Sequence, residues 1–353
     1  MNSGIKTISI GAFLLVLLAL TGCAAPVTQR VNVDPYAKAQ EERKQQIAAI
    51  KSEVAMINRI NSVGYAILKG AASDCGKVVR QRTGFAALLP QDIPEKRRAL
   101  VSEALGLDGT RRVTYVAKGG AAERAGIRVG DVISDSSGSL FPNVKDESRE
   151  ASLMRLPVGQ KIPATVVREG ASMEVFLLPD TVCDYPLEFS TGSEVNAYAD
   201  GKKIVITKGM VRFASDDREL AMVIGHELGH NTMGHIDKQQ INSGIGLIFD
   251  IAAAAAGVNT QSAFSKAGAQ SFSQDFESEA DYVGLYYLAR AGYDTSGAAE
   301  FWRRMAVENP AGITSNHSAS HPATSERFLA LEQVSVEVAR KQASKEALVP
   351  NRK

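Results

Sequence analysis

The sequence predicts an α+β protein, with a mainly helical C-terminal domain that carries a small sheet and a β-rich region before it. Three observations predict this class. Residues 36–64 have apolar positions at helical spacing, residues 76–181 alternate β-prone runs with glycines, and two long helical patterns follow residue 184. At 353 residues, the chain is long enough for two domains with cores of their own.

The composition is typical of a soluble globular protein, with 44% hydrophobic residues, 22% charged residues and a net charge of +1. A near-neutral chain without a basic tract lacks the positive surface that binds phosphate backbones. The sequence therefore argues against a nucleic-acid partner.

Residues 1–22 are predicted to be an export signal rather than part of the fold. Lys6 supplies a positive charge ahead of the apolar run "ISIGAFLLVLLAL". The run closes with the box Leu20-Thr21-Gly22-Cys23, which resembles the bacterial lipoprotein signal. A single transmembrane anchor is the alternative, but the apolar run is short for crossing a bilayer.

The resemblance to the lipoprotein signal implies cleavage before Cys23, a lipid on that thiol and a tether over residues 23–33. Ala24, rather than Asp, follows the cysteine, and the sorting rule of such lipoproteins then favours the outer membrane. The expected location is the cell envelope, with the chain attached to the membrane through its lipid and facing the periplasm.

Two further cysteines, Cys75 and Cys183, remain in the exported chain. An oxidising compartment favours pairing them in a disulfide. The alternative is two unrelated buried thiols.

The segment 34–74 is predicted to be an amphipathic helix. Asp34 is a capping carboxylate and Pro35 suits the first helical position. Apolar residues then recur at 3-4-3 spacing among charged ones, at Ile47, Ile50, Val54 and Ile57. Too few heptads repeat for a coiled coil, so packing on the chain's own helical domain is expected.

The region 75–183 contains several predicted strands, a short helix at "AAERAG", a second helix at 149–156 and a hairpin turned at Glu169-Gly170. The stretch "GGAAERAGIRVGDVI" resembles the core of bacterial protease-associated PDZ domains. The resemblance implies that Gly84 and Phe85 belong to a loop that captures a peptide C-terminus. A PDZ-shaped spacer that binds nothing is the alternative.

The third region, residues 184–340, precedes a C-terminal tail at 341–353. The stretch "VNAYADGKKIVITKGMVRF" predicts edge strands. The next helix has Asp216 as N-cap and Glu219 three residues on as a capping box. A second helix contains "FESEAD" and closes at Gly292.

The stretch "HELGHNTMGH" (226–235) places three of the chain's five histidines in ten positions. Residues four apart share a helix face, so His226 and His230 point the same way, with Glu227 beside them. Neutral imidazoles suit zinc, and a neighbouring carboxylate can take a proton from the attacking water. His226 and His230 are therefore candidate metal ligands, and Glu227 is the candidate general base.

His235 is not expected to be the third ligand. In the metzincin pattern the third histidine lies six residues after the second, whereas here it lies five residues after it. A structural role near the last carbonyls of the helix is expected instead. The third ligand should come from another helix, where Glu277 and Asp281 share a face and Glu279 is the competing ligand.

H-E-x-x-H followed some fifty residues later by E-x-x-A-D resembles the signature of HtpX-like and BepA-like gluzincin peptidases, the family of the CAAX prenyl proteases. The resemblance implies one Zn2+ per chain, held by His226, His230 and Glu277, with Glu227 as general base. It also implies that Asp281 holds a ligand histidine in the right tautomer.

Two other stretches carry the same resemblance. "NAYAD" resembles the strand that borders the substrate cleft, which makes Asn196 and Ala197 candidates for pairing with a peptide. "SHPATSER" matches the C-terminal H-P-x-x-x-x-R, so His321 is expected beside the zinc, with Arg327 supporting the site. His317 is the rival of His321.

The apolar segment 241–258 is not expected to cross a membrane, because it is short and carries Asp250 near its middle. A buried or flap-like helix over the active-site cleft is expected. Contact with the membrane surface stays open.

The resemblance implies a lipid-anchored zinc endopeptidase that cleaves misfolded or unassembled envelope proteins. Its partners would be protein or peptide substrates, the membrane and outer-membrane assembly machinery. The alternative is a chaperone or scaffold that binds peptide ends while His321 keeps the zinc site closed.

Overall fold

The computed structural model describes residues 28–135, 140–141, 158–256, 258–270, 273–308 and 324–351. Its contacts divide the chain into two compact units, residues 1–46 and residues 47–353. Helix α1 (Pro35–Gly70) begins where the sequence predicts, because the Asp34 carboxylate accepts a hydrogen bond from the Ala37 amide at 2.8 Å. The helix ends at Gly70, within the predicted segment 34–74.

In the second unit, a five-stranded antiparallel sheet follows the order β2-β3-β4-β5-β6. Its strands are β2 (Phe85–Leu88), β3 (Arg112–Val116), β4 (Val132–Ser134), β5 (Ile162–Arg168) and β6 (Ala171–Leu177). Helices α2 (Glu95–Leu105) and α3 (Ala121–Arg124) lie between these strands in the chain. The predicted helix at 149–156 lies outside the described residues.

The predicted hairpin turn is confirmed. Glu169 and Gly170 both have positive φ, at 51° and 82°, and they join β5 to β6. Two consecutive residues in this region of backbone space make the tight turn whose twist suits a hairpin.

The two ends of this region meet in a separate two-stranded ribbon. Strand β1 (Val79–Arg82) pairs antiparallel with β7 (Asp180–Cys183), and Val79 lies opposite Cys183. Cys75 and Cys183 are joined by a disulfide with their Cα atoms 5.7 Å apart. The predicted bridge is therefore confirmed.

A three-stranded sheet contains β8 (Leu187–Ser190), β9 (Ala197–Ala199) and β10 (Ile204–Thr207), in the order β8-β10-β9. The prediction of edge strands is wrong for β10, which lies in the middle and is fully buried. It is also wrong for "KGMVRF", which is helix α4 (Lys208–Phe213). Thr207 ends the strand, because its hydroxyl accepts a hydrogen bond from the Met210 amide at 3.1 Å and caps the helix.

The C-terminal half is helical. Its helices are α5 (Asp217–Thr232), α6 (His235–Ala255), α7 (Ala263–Gln270), α8 (Ser273–Arg290), α9 (Ala298–Glu308) and α10 (Ser325–Ala343). The α+β class, with a helical C-terminal domain, is confirmed.

The predicted N-cap of α5 is confirmed, but the capping box is not reciprocal. Asp216 accepts a hydrogen bond from the Glu219 amide at 2.9 Å. The Glu219 carboxylate does not return to the Asp216 amide; it accepts from the Ser215 amide at 2.7 Å and from Arg304. The arginine on α9 therefore draws the carboxylate away from the helix start.

Most of the buried side chains form one core that joins α1 to the C-terminal helices. Ile67 of α1, Ile224 of α5, Tyr286 of α8 and Leu331 of α10 belong to it. A smaller core, with Val113, Val166 and Leu177, lies in the five-stranded sheet. The large core holds α5 and α8, and these two helices carry the predicted metal ligands.

Of the two expectations for the helix at 241–258, the buried helix is wrong, and the flap-like helix stays a prediction. Helix α6 buries Gly246 and Asp250 against α7, but Ile248 is 66% exposed and Phe249 is 57% exposed. The apolar composition predicts burial, yet α7 covers one narrow face of the helix. Among the described residues, no helix is both long and apolar enough to cross a membrane.

Candidate metal centre

Helices α5 and α8 pack with their backbones almost in contact, because three glycines line the crossing. A Cβ on Gly225 would lie 3.1 Å from the Gly284 carbonyl oxygen, and one on Gly284 would lie 3.0 Å from the Gly225 carbonyl carbon. A Cβ on Gly229 would lie 2.9 Å from the Ala280 carbonyl oxygen. Sequence reasoning missed these glycines, although Gly-x-x-x-Gly on α5 signals close helix packing.

This close packing brings the three predicted ligands together. His226 Nε2 lies 3.1 Å from His230 Nε2 and 3.5 Å from Glu277 Oε2, and His230 Nε2 lies 3.3 Å from Glu277 Oε1. All three residues are buried and can hold a metal ion together. Tetrahedral zinc with bonds of about 2.0–2.1 Å needs ligand atoms about 3.3 Å apart, so this donor set fits zinc in both chemistry and spacing.

The outer nitrogen of His226 is held by a carboxylate. His226 Nδ1 lies 2.8 Å from Asp281 Oδ1, and Asp281 also accepts hydrogen bonds from Arg327 at 2.8 and 3.0 Å. Arg327 Nη1 reaches Glu277 at 3.0 Å, so one buried guanidinium holds the carboxylates of Glu277 and Asp281. Thr324 caps α10 and sets the position of Arg327 in its first turn.

The charges in this cluster shift the pKa of several groups. Burial raises the pKa of Asp281, but Arg327 and His226 outweigh it and hold that pKa below its usual value. Burial also lowers the pKa of His226, yet Asp281 and Glu277 outweigh it and raise that pKa to about 10. Burial lowers the pKa of His230. Without a metal ion, His226 is therefore the positively charged ring of this pair and His230 is the neutral one.

His235 does not lie where the sequence predicts. Helix α5 ends at Thr232, Gly234 adopts a left-handed conformation with φ 66°, and His235 begins α6. Its ring therefore faces the site instead of the last carbonyls of α5. His235 Nδ1 lies 3.1 Å from His230 Nδ1, on the side of the His230 ring away from Glu277.

Glu279, the competing ligand, binds His235 instead of joining the ligand group. Glu279 Oε2 lies 2.7 Å from His235 Nε2, and the Glu279 side chain is 45% exposed. Burial outweighs this hydrogen bond and lowers the pKa of His235 to about 4. His235 is therefore a neutral buried ring at physiological pH.

Glu227, the predicted general base, is buried on α5 beside His226, with 2% of its surface exposed. Burial lowers the pKa of His230, and the charge of Glu227 opposes that shift. Trp302 on α9, which sequence reasoning missed, lies against His226 with ring centroids 4.9 Å apart. His321, His317 and Cys23 lie outside the described residues.

The predicted peptide-pairing residues lie at the edge of the three-stranded sheet. Asn196 precedes β9, and both its amide and its carbonyl bond the Thr207 hydroxyl, at 3.2 and 2.7 Å. Ala197 is buried, whereas Tyr198 is 45% exposed. Strand β9 pairs with β10 on one side, and it is an edge strand of the sheet as described.

Gly84 and Phe85 lie at the start of β2, which is an edge strand of the five-stranded sheet. Gly84 has φ 75°, and a Cβ there would lie 2.9 Å from the Tyr65 ring, so only glycine fits. The Gly84 carbonyl accepts a hydrogen bond from the Ala117 amide at 2.7 Å, which fixes the start of the strand.

Comparison with known proteins gives a family match for the region that holds the candidate metal centre. The profile of peptidase family M48 matches residues 168–335. The mitochondrial metalloendopeptidase OMA1 of Arabidopsis thaliana is 31% identical over 178 residues, which is 49% of this chain and 34% of the relative.

Two bacterial relatives match a smaller share of the chain. The beta-barrel assembly-enhancing protease of Yersinia pestis is 29% identical over 33% of this chain and 27% of its own length. The metalloprotease YcaL of Escherichia coli K12 is 31% identical over 38% of this chain and 56% of its own length. The chain thus spans a quarter to just over half of the length of these three relatives.

Among solved structures, an HtrA-type protease with a decapeptide aligns over 33% of each chain at 22% identity and a TM-score of 0.19, too low to inform the fold. The family profile, in contrast, spans His226, His230, Glu277 and Arg327 together. The region that holds the candidate metal centre, residues 168–335, therefore matches peptidase family M48.

Proposed function

We propose that this chain is a zinc-dependent endopeptidase of the bacterial cell envelope. One observation carries the proposal. The donor atoms of three buried residues, His226, His230 and Glu277, lie 3.1–3.5 Å apart, and Glu227 lies beside the two histidines on α5. Two imidazoles and one carboxylate leave a fourth position for substrate, which is the pattern of a catalytic rather than a structural zinc site.

A bound zinc ion would supply Lewis acidity that polarises the scissile carbonyl and acidifies water. The Glu227 carboxylate takes a proton from the attacking water and then delivers it to the nitrogen of the leaving amine. Asp281 keeps the Nδ1 proton of His226, so the His226 Nε2 lone pair faces the metal position. Arg327 holds Asp281 and Glu277 in place by pairing with both carboxylates.

The proposed substrates are unfolded or unassembled envelope proteins, bound as extended chains. The edge strand β9 supports this proposal, because an extended peptide can add to an exposed sheet edge. The relatives named beta-barrel assembly-enhancing protease support an envelope substrate and a link to outer-membrane assembly. Lipidation at Cys23 would attach the chain to the outer membrane on its periplasmic side.

Residues 75–183 are proposed to be a PDZ-like domain inserted into the peptidase and used for recognition. The antiparallel pairing of β1 with β7 brings the ends of this region together, as an inserted domain requires. The start of β2, at Gly84 and Phe85, is the proposed site for a peptide C-terminus.

The decisive experiment compares casein cleavage by the wild-type protein and by Glu227→Gln, each loaded with zinc. Cleavage should fall by about 100-fold or more in Glu227→Gln, because the proton acceptor is lost while the metal ligands remain. Glu300→Gln is the matched control, since its side chain is 71% exposed on α9. Elemental analysis should find one zinc per chain in the wild type and a loss in His226→Ala and Glu277→Ala.

Equal cleavage by the wild type and Glu227→Gln would disprove the proposed chemistry. A zinc-loaded wild type that binds casein without cleaving it would favour the chaperone or scaffold. His321→Ala separates a closed site from an inactive one: cleavage that appears only in this variant means that His321 keeps the metal position closed.

A further inference from the structure

We infer that His235 is a positioning residue of the metal centre, which fixes the tautomer and the orientation of His230, while Glu279 in turn fixes His235. The inference rests on the proposed metal-dependent function and adds two residues to its machinery. The H-E-x-x-H spacing gives neither residue this role.

The geometry is a chain of two contacts that leads away from the metal position. His230 Nε2 faces Glu277, whereas its Nδ1 lies 3.1 Å from His235 Nδ1. The opposite nitrogen of the second ring, His235 Nε2, lies 2.7 Å from Glu279 Oε2. His235 is fully buried, so each of its nitrogens must find its partner inside the protein.

The carboxylate at the end of the chain decides where each proton lies. An ionised carboxylate only accepts hydrogen bonds, so the proton of the His235 ring must be on Nε2, facing Glu279. In the neutral ring, His235 Nδ1 is then an acceptor, and His230 Nδ1 must be the donor. A neutral His230 with its proton on Nδ1 keeps its Nε2 lone pair for the metal position.

The opposite assignment disables the site. A proton on His235 Nδ1 would leave Nε2 without a proton, so that two lone pairs would face each other across 2.7 Å. His230 would then accept at Nδ1 and carry its proton on Nε2, between His226 and Glu277. That proton would occupy the direction in which a metal ion must be bound.

The ring of His235 is also held in orientation. It stacks on Phe276 of α8 with ring centroids 4.5 Å apart and an angle of 17° between the planes. Gly234, with its positive φ, turns the chain so that α6 starts with His235 beside α5. Lys238 Nζ lies 3.9 Å from Glu279 Oε2.

A carboxylate therefore fixes the Nδ1 proton of each histidine ligand, directly for His226 and through a second ring for His230. Asp281 accepts from Nδ1 of His226 directly, and Glu279 acts on Nδ1 of His230 through His235. Partners of this kind raise the basicity of a ligand and hold its ring, and their loss weakens metal affinity by about 10- to 100-fold.

The test measures zinc affinity by competition with a chromophoric chelator in the full-length wild type, His235→Leu and His235→Asn. Leucine fills the space without an acceptor, whereas the asparagine side-chain oxygen can take the place of Nδ1. Affinity should fall by about 10- to 100-fold in His235→Leu, while His235→Asn retains most of it. At saturating zinc both variants should still bind one ion per chain, because the three donors remain.

Wild-type affinity in His235→Leu would overturn the inference. An equal loss in both variants would do so as well, because the effect would then follow packing instead of the acceptor. Thermal unfolding of the metal-free variants shows whether each is folded before its affinity is compared.

A second measurement needs no variant that could fail to fold. In zinc-loaded wild-type protein labelled with nitrogen-15, two-bond proton–nitrogen spectra should find the proton of His230 on Nδ1 and that of His235 on Nε2. A His235 proton on Nδ1 would overturn the inference. Both measurements are independent of peptidase activity. A protein that binds zinc but cleaves nothing would therefore refute the proposed function without refuting the role of His235 and Glu279.

Discussion

Gly229 on α5 faces the backbone of Ala280 on α8, so closely that a Cβ on the glycine would lie 2.9 Å from the Ala280 carbonyl oxygen and 3.0 Å from its Cα. Gly229 directly precedes one ligand, and Ala280 lies between Glu277 and Asp281 in the sequence. The distance between the two helices, and with it the distance between the donors, therefore depends on this glycine.

Gly229→Ala should destabilise the protein by about 1–3 kcal/mol, because the added methyl group meets backbone that cannot rotate away. The helices must separate, so zinc affinity should fall as well. Chemical denaturation and chelator competition measure the two effects.

Gly244→Ala is the matched control for this substitution. Gly244 lies inside α6, and a Cβ there would have no heavy atom within 4 Å. Alanine should stabilise the helix by about 0.5–1 kcal/mol there and leave zinc binding unchanged. Two alanine variants with the same effect on zinc would refute the role of the helix contact.

Much of the candidate site could be predicted from the sequence, because helical spacing determines which residues share a face. His226 and His230 lie four residues apart, as do Glu277 and Asp281, and each pair faces the other across the α5–α8 contact. The start of α1 and the turn at Glu169 were predictable for a similar reason, since caps and tight turns depend on a few neighbouring residues.

The features that sequence reasoning missed depend on distant contacts. The break at Gly234 redirects His235, and only the fold brings Glu279 to its ring. Thr207 converts an apparent strand into a helix by capping it. The exposure of α6 was not predictable, because an apolar pattern does not specify how much of it a neighbouring helix covers.

The tryptophan next to the ligands gives a direct assay of metal binding. Trp302 is the chain's only tryptophan, and its ring lies 4.9 Å from that of His226. Cobalt(II) bound at this site should quench the tryptophan emission, since its partly filled d shell accepts the excitation energy. A fluorescence titration should reach its endpoint at one equivalent of cobalt.

Zinc has a filled d shell and no such acceptor states, so excess zinc should displace cobalt and restore the emission. His226→Ala and Glu277→Ala should show little quenching at the same cobalt concentration. Full quenching in both variants would mean that cobalt binds elsewhere, and it would contradict the assigned ligands.

Zinc binding should release a proton from His226. Without metal, Asp281 and Glu277 outweigh burial and raise the pKa of His226 to about 10, so its ring is charged at neutral pH. The ligand must be the neutral ring, and the Nδ1 proton stays with Asp281, so the Nε2 proton leaves. Affinity should therefore weaken about tenfold for each pH unit below that pKa.

Calorimetry in two buffers with different ionisation enthalpies measures the released protons directly. The wild type should release about one proton at neutral pH. Asp281→Asn should release less, because the variant lacks the carboxylate that raises the pKa of His226 most, and its His226 is then less fully protonated before zinc binds. A binding enthalpy that does not depend on the buffer would contradict the prediction.

Reduction of the Cys75–Cys183 disulfide should loosen the region between the cysteines more than the metal centre. The bridge spans a sequence separation of 108, for which the chain-entropy model gives a stabilisation of about 4–5 kcal/mol. Arg290 of α8 still pairs with Asp74 after reduction, so the Cys75 side stays attached to the helices. The freed strand is β7, whose one partner among the described strands is β1.

Hydrogen exchange should therefore accelerate first in β1 and β7, then in the five-stranded sheet, and least in α5 and α8. The ligands lie between residues 226 and 277, outside the loop that the disulfide closes, so the reduced protein should keep its zinc. The double variant Cys75→Ala, Cys183→Ala controls for the reductant, which itself binds zinc. Equal acceleration in α5 and β7, or loss of zinc from the double variant, would mean that the bridge supports the whole second unit instead of the base of one region.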